Sequence, residues 1–129
     1  MEDKFAILGA GGWGTALSIM LSKKGFRIKL WVYDGKELKV IEEKRENIYY
    51  LPNIIIPSSI TLTPSLLTAV EDSHIIIFAI PSRYLRTVAS NVAQHLEKNK
   101  VIINAAKGIE KDSSLRMSEI LLEEIPTLT

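Results

Sequence analysis

The sequence predicts an α/β fold, a doubly wound parallel sheet with helices on both faces, and three observations carry that prediction. Short apolar runs rich in β-branched residues alternate with segments of helical spacing from one end of the chain to the other, the order a parallel sheet with crossover helices requires. The run His74–Ile80 is continuously apolar after its histidine, as suits a strand buried on both faces. A glycine-rich turn, Gly9-Ala10-Gly11-Gly12-Trp13-Gly14, separates the first apolar run from the first helical one.

In chain order, Phe5–Leu8 reads as a buried strand and Thr15–Leu21 as a helix that ends at Lys23-Lys24-Gly25, with basic residues in its last turn and a glycine for a left-handed cap. Arg27–Asp34 is a second strand, alternating at first and then apolar, and Lys36–Arg45 a highly charged, mostly solvated helix with Leu38, Val40 and Ile41 as its apolar residues. Residues 46–59, with Asn47, Pro52, Asn53 and Pro57, form a long packed loop. A short strand, Ile60–Thr63, leads to a small helix from Pro64 to Glu71 or Asp72. After the strand 74–80, Ser82 suits the N-cap of a helix running to about Glu97 with Leu85, Val88, Val92 and Leu96 inward. Val101–Ala106 is the last strand, and Ser114–Glu124 a last helix stopped by Pro126.

The composition bounds the function classes. The chain has 129 residues, 47% hydrophobic and 24% charged, enough for one domain with a real core. Sixteen basic and fifteen acidic residues give a net charge of +1, so no bulk field recruits nucleic acid or an anionic membrane. Cysteine is absent, which excludes disulfides and thiolate metal sites. No signal-peptide pattern opens the chain and no apolar stretch is long enough to span a bilayer, so a cytoplasmic protein without membrane insertion is expected.

The glycine turn carries the chemistry. In G-x-G-x-x-G between a strand and a helix, the first glycine (Gly9) makes the tight turn, the second (Gly11) lets bare main chain approach a pyrophosphate, and the third (Gly14) brings the helix against the strand. Free N–H groups and the positive end of the helix dipole then face the phosphates. Asp34, twenty positions after Gly14 at the end of the second strand, stands where a dinucleotide fold places its ribose-binding carboxylate; read alone it is equally a helix N-cap. These are Rossmann-type signals. Lys107 follows a strand on the side where such folds bind ligands, and Gly108 beside it lets the backbone come close. Neither His74 nor His95 reads as catalytic, and no acid–base pair or metal cluster is visible.

Ile7–Leu17 with its glycines, Leu30-Trp31-Val32-Tyr33-Asp34, Arg45-Glu46-Asn47 with Tyr50-Leu51-Pro52, Ile80-Pro81-Ser82 and Ala106-Lys107-Gly108-Ile109-Glu110 occur in that order. Together they resemble the amino-terminal domain of NAD(P)-dependent glycerol-3-phosphate dehydrogenase over essentially the whole chain. The resemblance implies cofactor contacts at Gly12, Trp13, Tyr33, Tyr50, Tyr84 and Lys107, with Lys107 also meeting the substrate phosphate. Packing roles for Trp13, Tyr50 and Tyr84 stay open. Tyr33 stands where relatives often carry a cation suited to a 2′-phosphate, so NAD is favoured, with NADP left open because of Lys36 and Lys39. The implied reaction is reversible reduction of dihydroxyacetone phosphate to sn-glycerol 3-phosphate for glycerophospholipid synthesis. The family's catalytic lysine lies in a second, helical domain, so residues 1–129 are expected to be the dinucleotide-binding domain, with no catalytic residue before Thr129 and no turnover alone. A homodimer is an expectation for the full-length protein. Two alternatives are a dehydrogenase of the same superfamily acting on another hydroxy acid or sugar phosphate, and a stand-alone NAD-sensing module.

Overall fold

The computed structural model describes residues 3–96 and 100–125. Its elements run β1 (Lys4–Leu8), α1 (Gly12–Lys23), β2 (Arg27–Trp31), α2 (Gly35–Lys44), β3 (Thr61–Thr63), α3 (Leu66–Val70), β4 (Ile75–Phe78), α4 (Ser82–Ala93), β5 (Val101–Asn104) and α5 (Met117–Glu124). The five strands form one parallel sheet in the order β3-β2-β1-β4-β5. From β1 the chain winds outward to β3, then crosses back to β4 and winds the other way, which makes the gap between β1 and β4 the switch point where such sheets bind ligands. Leu8 pairs with both Trp31 and Phe78, and Phe78 with Asn104, so four strands end level at one edge.

Alternation along the strands builds two cores. Ala6, Leu8, Ile76 and Phe78 face Leu85, Val88, Val92, Met117 and Ile120 of α4 and α5, while Phe5, Ile7, Leu30 and Ile77 face Ile19 of α1 and Leu38 and Ile41 of α2. Each fully buried aliphatic side chain contributes about 1.5–3 kcal/mol. Both faces of the sheet centre are therefore covered, as a doubly wound fold demands. At the edge strand β5, Val101 and Ile103 remain 55% and 41% exposed.

Several boundaries differ from the sequence expectation, each for a local reason. Helix α1 starts at Gly12, three residues before Thr15, because the glycine turn itself enters the helix. Strand β2 stops at Trp31, since its register with the three-residue β3 ends at Trp31↔Thr63. Strand β4 likewise pairs only over Ile75–Phe78, and β5 only to Asn104, where its register with Phe78 ends. Ser65 caps α3 through its hydroxyl, so that helix begins after Pro64. Ser82 is the first residue of α4 and not its cap; extended Pro81 holds the N-cap position without a side-chain bond. Helix α4 ends at Ala93, followed by a turn in which the His95 amide donates to the Val92 carbonyl; Glu97 and Pro126 lie outside the described residues. Helix α5 begins at Met117 because Ser114 takes φ +61 and Arg116 bridges back to Ile109.

Candidate functional site

The glycines of the first turn divide by what surrounds them. Gly9 sits at φ +124, and a Cβ there would stand 2.4 Å from the Ala79 carbonyl oxygen; a Cβ on Gly14 would stand 1.9 Å from the Gly9 oxygen. Strand, helix and the exit of β4 touch backbone to backbone, so the fold itself demands both. Gly11 is different: its φ is −76 and nothing lies within 4 Å of its Cβ position. It is the N-cap of α1, its carbonyl accepts the Thr15 amide at 3.0 Å, and no side chain caps the helix. The first-turn amides of Gly12, Trp13 and Gly14, at the positive end of a 12-residue helix, thus have no side-chain cap.

The loop after α2 is tied to this turn by a residue to which the sequence assigns a place in the loop motif but no contact. Asn47 is fully buried; its Nδ2 donates to the Ala10 carbonyl at 2.7 Å and to Thr15 Oγ1 at 2.9 Å, and its Oδ1 accepts the Tyr50 amide at 3.3 Å. Arg45, at φ +48, anchors the other half of the loop through its guanidinium, which donates to the carbonyls of Ile56, Pro57 and Ile60. The loop passes so close to α1 that a Cβ on Gly12 would meet the Tyr50 carbonyl oxygen at 3.0 Å. The signals in the sequence are a polar residue in the loop and its place in the Arg45-Glu46-Asn47 and Tyr50-Leu51-Pro52 segment that carries the resemblance.

At the end of β2, Tyr33 is 83% exposed and its ring stands edge-on to Trp31. Asp34 caps α2, its Oδ1 accepting the amides of Lys36 at 2.8 Å and Glu37 at 3.3 Å. The cap uses one carboxylate oxygen only. The Tyr50 hydroxyl reaches this corner: the charge of Glu37, then burial, then a hydrogen bond to Glu37 and the charge of Asp34 hold its pKa above the ordinary value.

At the ends of β4 and β5, a cavity of about 450 Å³ is lined by Trp13, Ala79, Ile80, Ala105, Ala106 and Lys107. Trp13 is 61% exposed, which excludes a core-filling role. Lys107 is exposed, and Gly108 follows at φ +113. Tyr84 is also exposed, stacked under the Arg83 guanidinium at 4.8 Å, and does not line that cavity. His74 accepts the Lys4 amide on Nδ1 at 3.4 Å, and His95 is exposed. Among the described residues no cluster of metal ligands occurs, and no helix is long and apolar enough to cross a membrane.

Residues 4–129 match the family model for the NAD-dependent glycerol-3-phosphate dehydrogenase N-terminus. The glycerol-3-phosphate dehydrogenase [NAD(P)+] of Enterococcus faecalis is 41% identical over 126 residues, covering 98% of this chain and 37% of that protein. Its counterpart in Pelotomaculum thermopropionicum is 41% identical over 124 residues, covering 96% and 36%. The crystal structure of glycerol-3-phosphate dehydrogenase from Coxiella burnetii superposes with a TM-score of 0.90 at 30% identity, covering 96% of this chain and 38% of that one. The chain thus spans little more than a third of the length of these relatives. With the glycine turn, the level strand ends and this match in agreement, the chain belongs to the family of NAD-dependent glycerol-3-phosphate dehydrogenase N-terminal domains.

Proposed function

We propose that this chain is the coenzyme-binding domain of an NAD(P)-dependent glycerol-3-phosphate dehydrogenase, and that the pyrophosphate of the dinucleotide lies against Gly11. The observation that carries the reading is the empty space at Gly11. Its backbone angles suit any residue and no protein atom excludes a side chain, so a ligand is what a side chain there would obstruct. Amides of the first turn of α1 bind the phosphates; Asp34, through the oxygen its cap leaves over, takes the adenosine ribose hydroxyls; Tyr33 and Tyr50 flank that end. Trp13 and Lys107 receive the nicotinamide half in the cavity at the ends of β4 and β5, where an ammonium also suits a phosphate monoester. Tyr84, outside the lining, approaches from the first turn of α4.

The bound nicotinamide supplies hydride chemistry, and these residues orient it and hold its phosphates. The activity proposed for the whole protein is reversible reduction of dihydroxyacetone phosphate to sn-glycerol 3-phosphate, serving glycerophospholipid synthesis, with the proton-donating lysine in a second, helical domain and a homodimer as the assembly. NAD is the proposed coenzyme: Asp34 and Glu37 present two carboxylates where a 2′-phosphate would add negative charge. Separate fluorescence titrations with NADH and NADPH test this. NADH is expected to bind more tightly, and Asp34→Ala to narrow the gap; no binding of either at millimolar coenzyme would sink the assignment.

A further inference from the structure

Arg86, in the second turn of α4, gathers three carboxylates. Its Nε and Nη2 donate to Glu110 Oε2 and Oε1 at 2.8 and 2.9 Å, and its Nη1 donates to Glu124 at 2.6 Å and Glu123 at 3.3 Å. Glu110 belongs to the loop that leaves β5 at Lys107. It is also where that loop folds on itself: Oε1 accepts the Ser113 hydroxyl at 2.6 Å, the amide donates to the Leu115 carbonyl at 2.8 Å, and the carbonyl accepts the Ser114 amide at 2.9 Å. On the other side of Lys107, the Ala105 amide donates to Phe78 at 2.8 Å and the Ala106 amide to Asn104 Oδ1 at 2.9 Å. Lys107 therefore stands on a short bridge of backbone with one end in the sheet and the other on Arg86.

Half-exposed ion pairs contribute little to stability, but a two-pronged guanidinium–carboxylate contact fixes geometry. Remove the guanidinium, and Glu110 faces Glu123 and Glu124 with like charge, so the far end of the bridge is pushed off α4.

We propose that Arg86 is a positioning residue, which holds Lys107 at the coenzyme cavity by clamping Glu110 to α4. The proposal rests on the reading of Lys107 as a coenzyme contact. A double-mutant cycle tests it, with NADH affinity and melting temperature measured for the chain and for Lys107→Ala, Arg86→Met, Glu110→Gln and the pair Arg86→Met with Lys107→Ala. Lys107→Ala is expected to weaken NADH about tenfold, the loss of one charge-assisted contact. Arg86→Met and Glu110→Gln should each weaken it by several-fold, and the pair should bind no more weakly than Lys107→Ala alone. Arg86→Lys, which keeps charge but loses the fork, should fall between. Should Arg86→Met fail to fold, Glu110→Gln paired with Lys107→Ala completes the same cycle. Wild-type affinity in Arg86→Met or Glu110→Gln, or full additivity in the pair, overturns the clamp. Unchanged affinity in Lys107→Ala overturns the reading of Lys107 and, with it, the clamp.

Discussion

Alanine at Gly11 and at Gly14 should give opposite phenotypes three residues apart. At Gly14 the new Cβ would stand 1.9 Å from the Gly9 carbonyl oxygen, more than an ångström inside contact distance, and the obstacle is backbone. Helix α1 must then lift off β1, loosening buried Ser18 and Ile19. Overpacking of this kind costs about 3 kcal/mol or more, which for a domain of this size lowers the melting temperature by on the order of 10 °C. At Gly11 the Cβ meets nothing within 4 Å and φ is an ordinary −76. The weaker N-cap, about 0.5–1 kcal/mol, is offset by about 0.4–1 kcal/mol of reduced unfolded-chain entropy, so the melting temperature should move by about 2 °C at most. Coenzyme affinity should behave in the reverse manner. With the phosphates where they are proposed, a methyl group at Gly11 would displace a phosphate oxygen from a main-chain amide, and losing one charge-assisted hydrogen bond, about 1.5–3 kcal/mol, would weaken binding about 10- to 100-fold. Differential scanning fluorimetry with and without NADH reads both quantities, because ligand raises the melting temperature only of a protein that binds it. Gly11→Ala with unchanged NADH stabilisation would show that the phosphates lie elsewhere. Gly11→Ala as unstable as Gly14→Ala would show that the fold, not a ligand, needs this glycine.

Two further outcomes follow from polar groups away from the glycines. Asn47→Ala removes the partners of the Ala10 carbonyl and Thr15 Oγ1 at a fully buried position, so about 2–3 kcal/mol of stability should be lost, measurable as a lower midpoint in urea; a loss below about 0.5 kcal/mol would contradict it. Hydrogen bonds from Arg86, then from Ser113, hold the Glu110 carboxyl down at about 2 against an ordinary 4.5. A depressed folded pKa means that the unfolded chain takes the proton first, so this contribution is complete above about 4.5 and is lost as pH falls toward about 2. Melting temperature against pH should therefore fall less steeply over that window in Glu110→Gln than in the parent, and parallel curves would refute the assignment.

Much of the fold was legible because strands and helices announced themselves independently. The continuous, β-branched apolar run ending at Ile80 reads as a buried strand and contains β4, and the glycine turn sits where the first strand hands over to a helix. Gly9 and Gly14 carry the backbone constraints their motif positions predicted. The start of α1 was misplaced because low helix propensity argues against glycine in a first turn, whereas here tertiary packing places Gly12 and Gly14 inside it. Ser82 looked like a cap by residue type, but Pro81 already supplies the extended residue before the helix. Asp34 was read two ways, and its two oxygens allow both. What no local pattern could reveal were contacts between distant positions: Asn47 reaches Thr15 across 32 positions, and Arg86 reaches Glu124 across 38. Their partners are set by strand order, which brings α1 beside the 46–52 loop and α4 beside α5.

The Asn47 amide hangs from the carbonyl immediately before Gly11, which ties the rim of the turn to the loop. Swinging the 46–52 segment outward would strip a half-buried carbonyl and the buried Thr15 hydroxyl of their Asn47 partner at once, so opening it carries an energetic cost. The rim that the 46–52 segment forms beside the helix start is thus built by the chain's own polar contacts, so the proposed phosphate surface needs no ligand to assemble it.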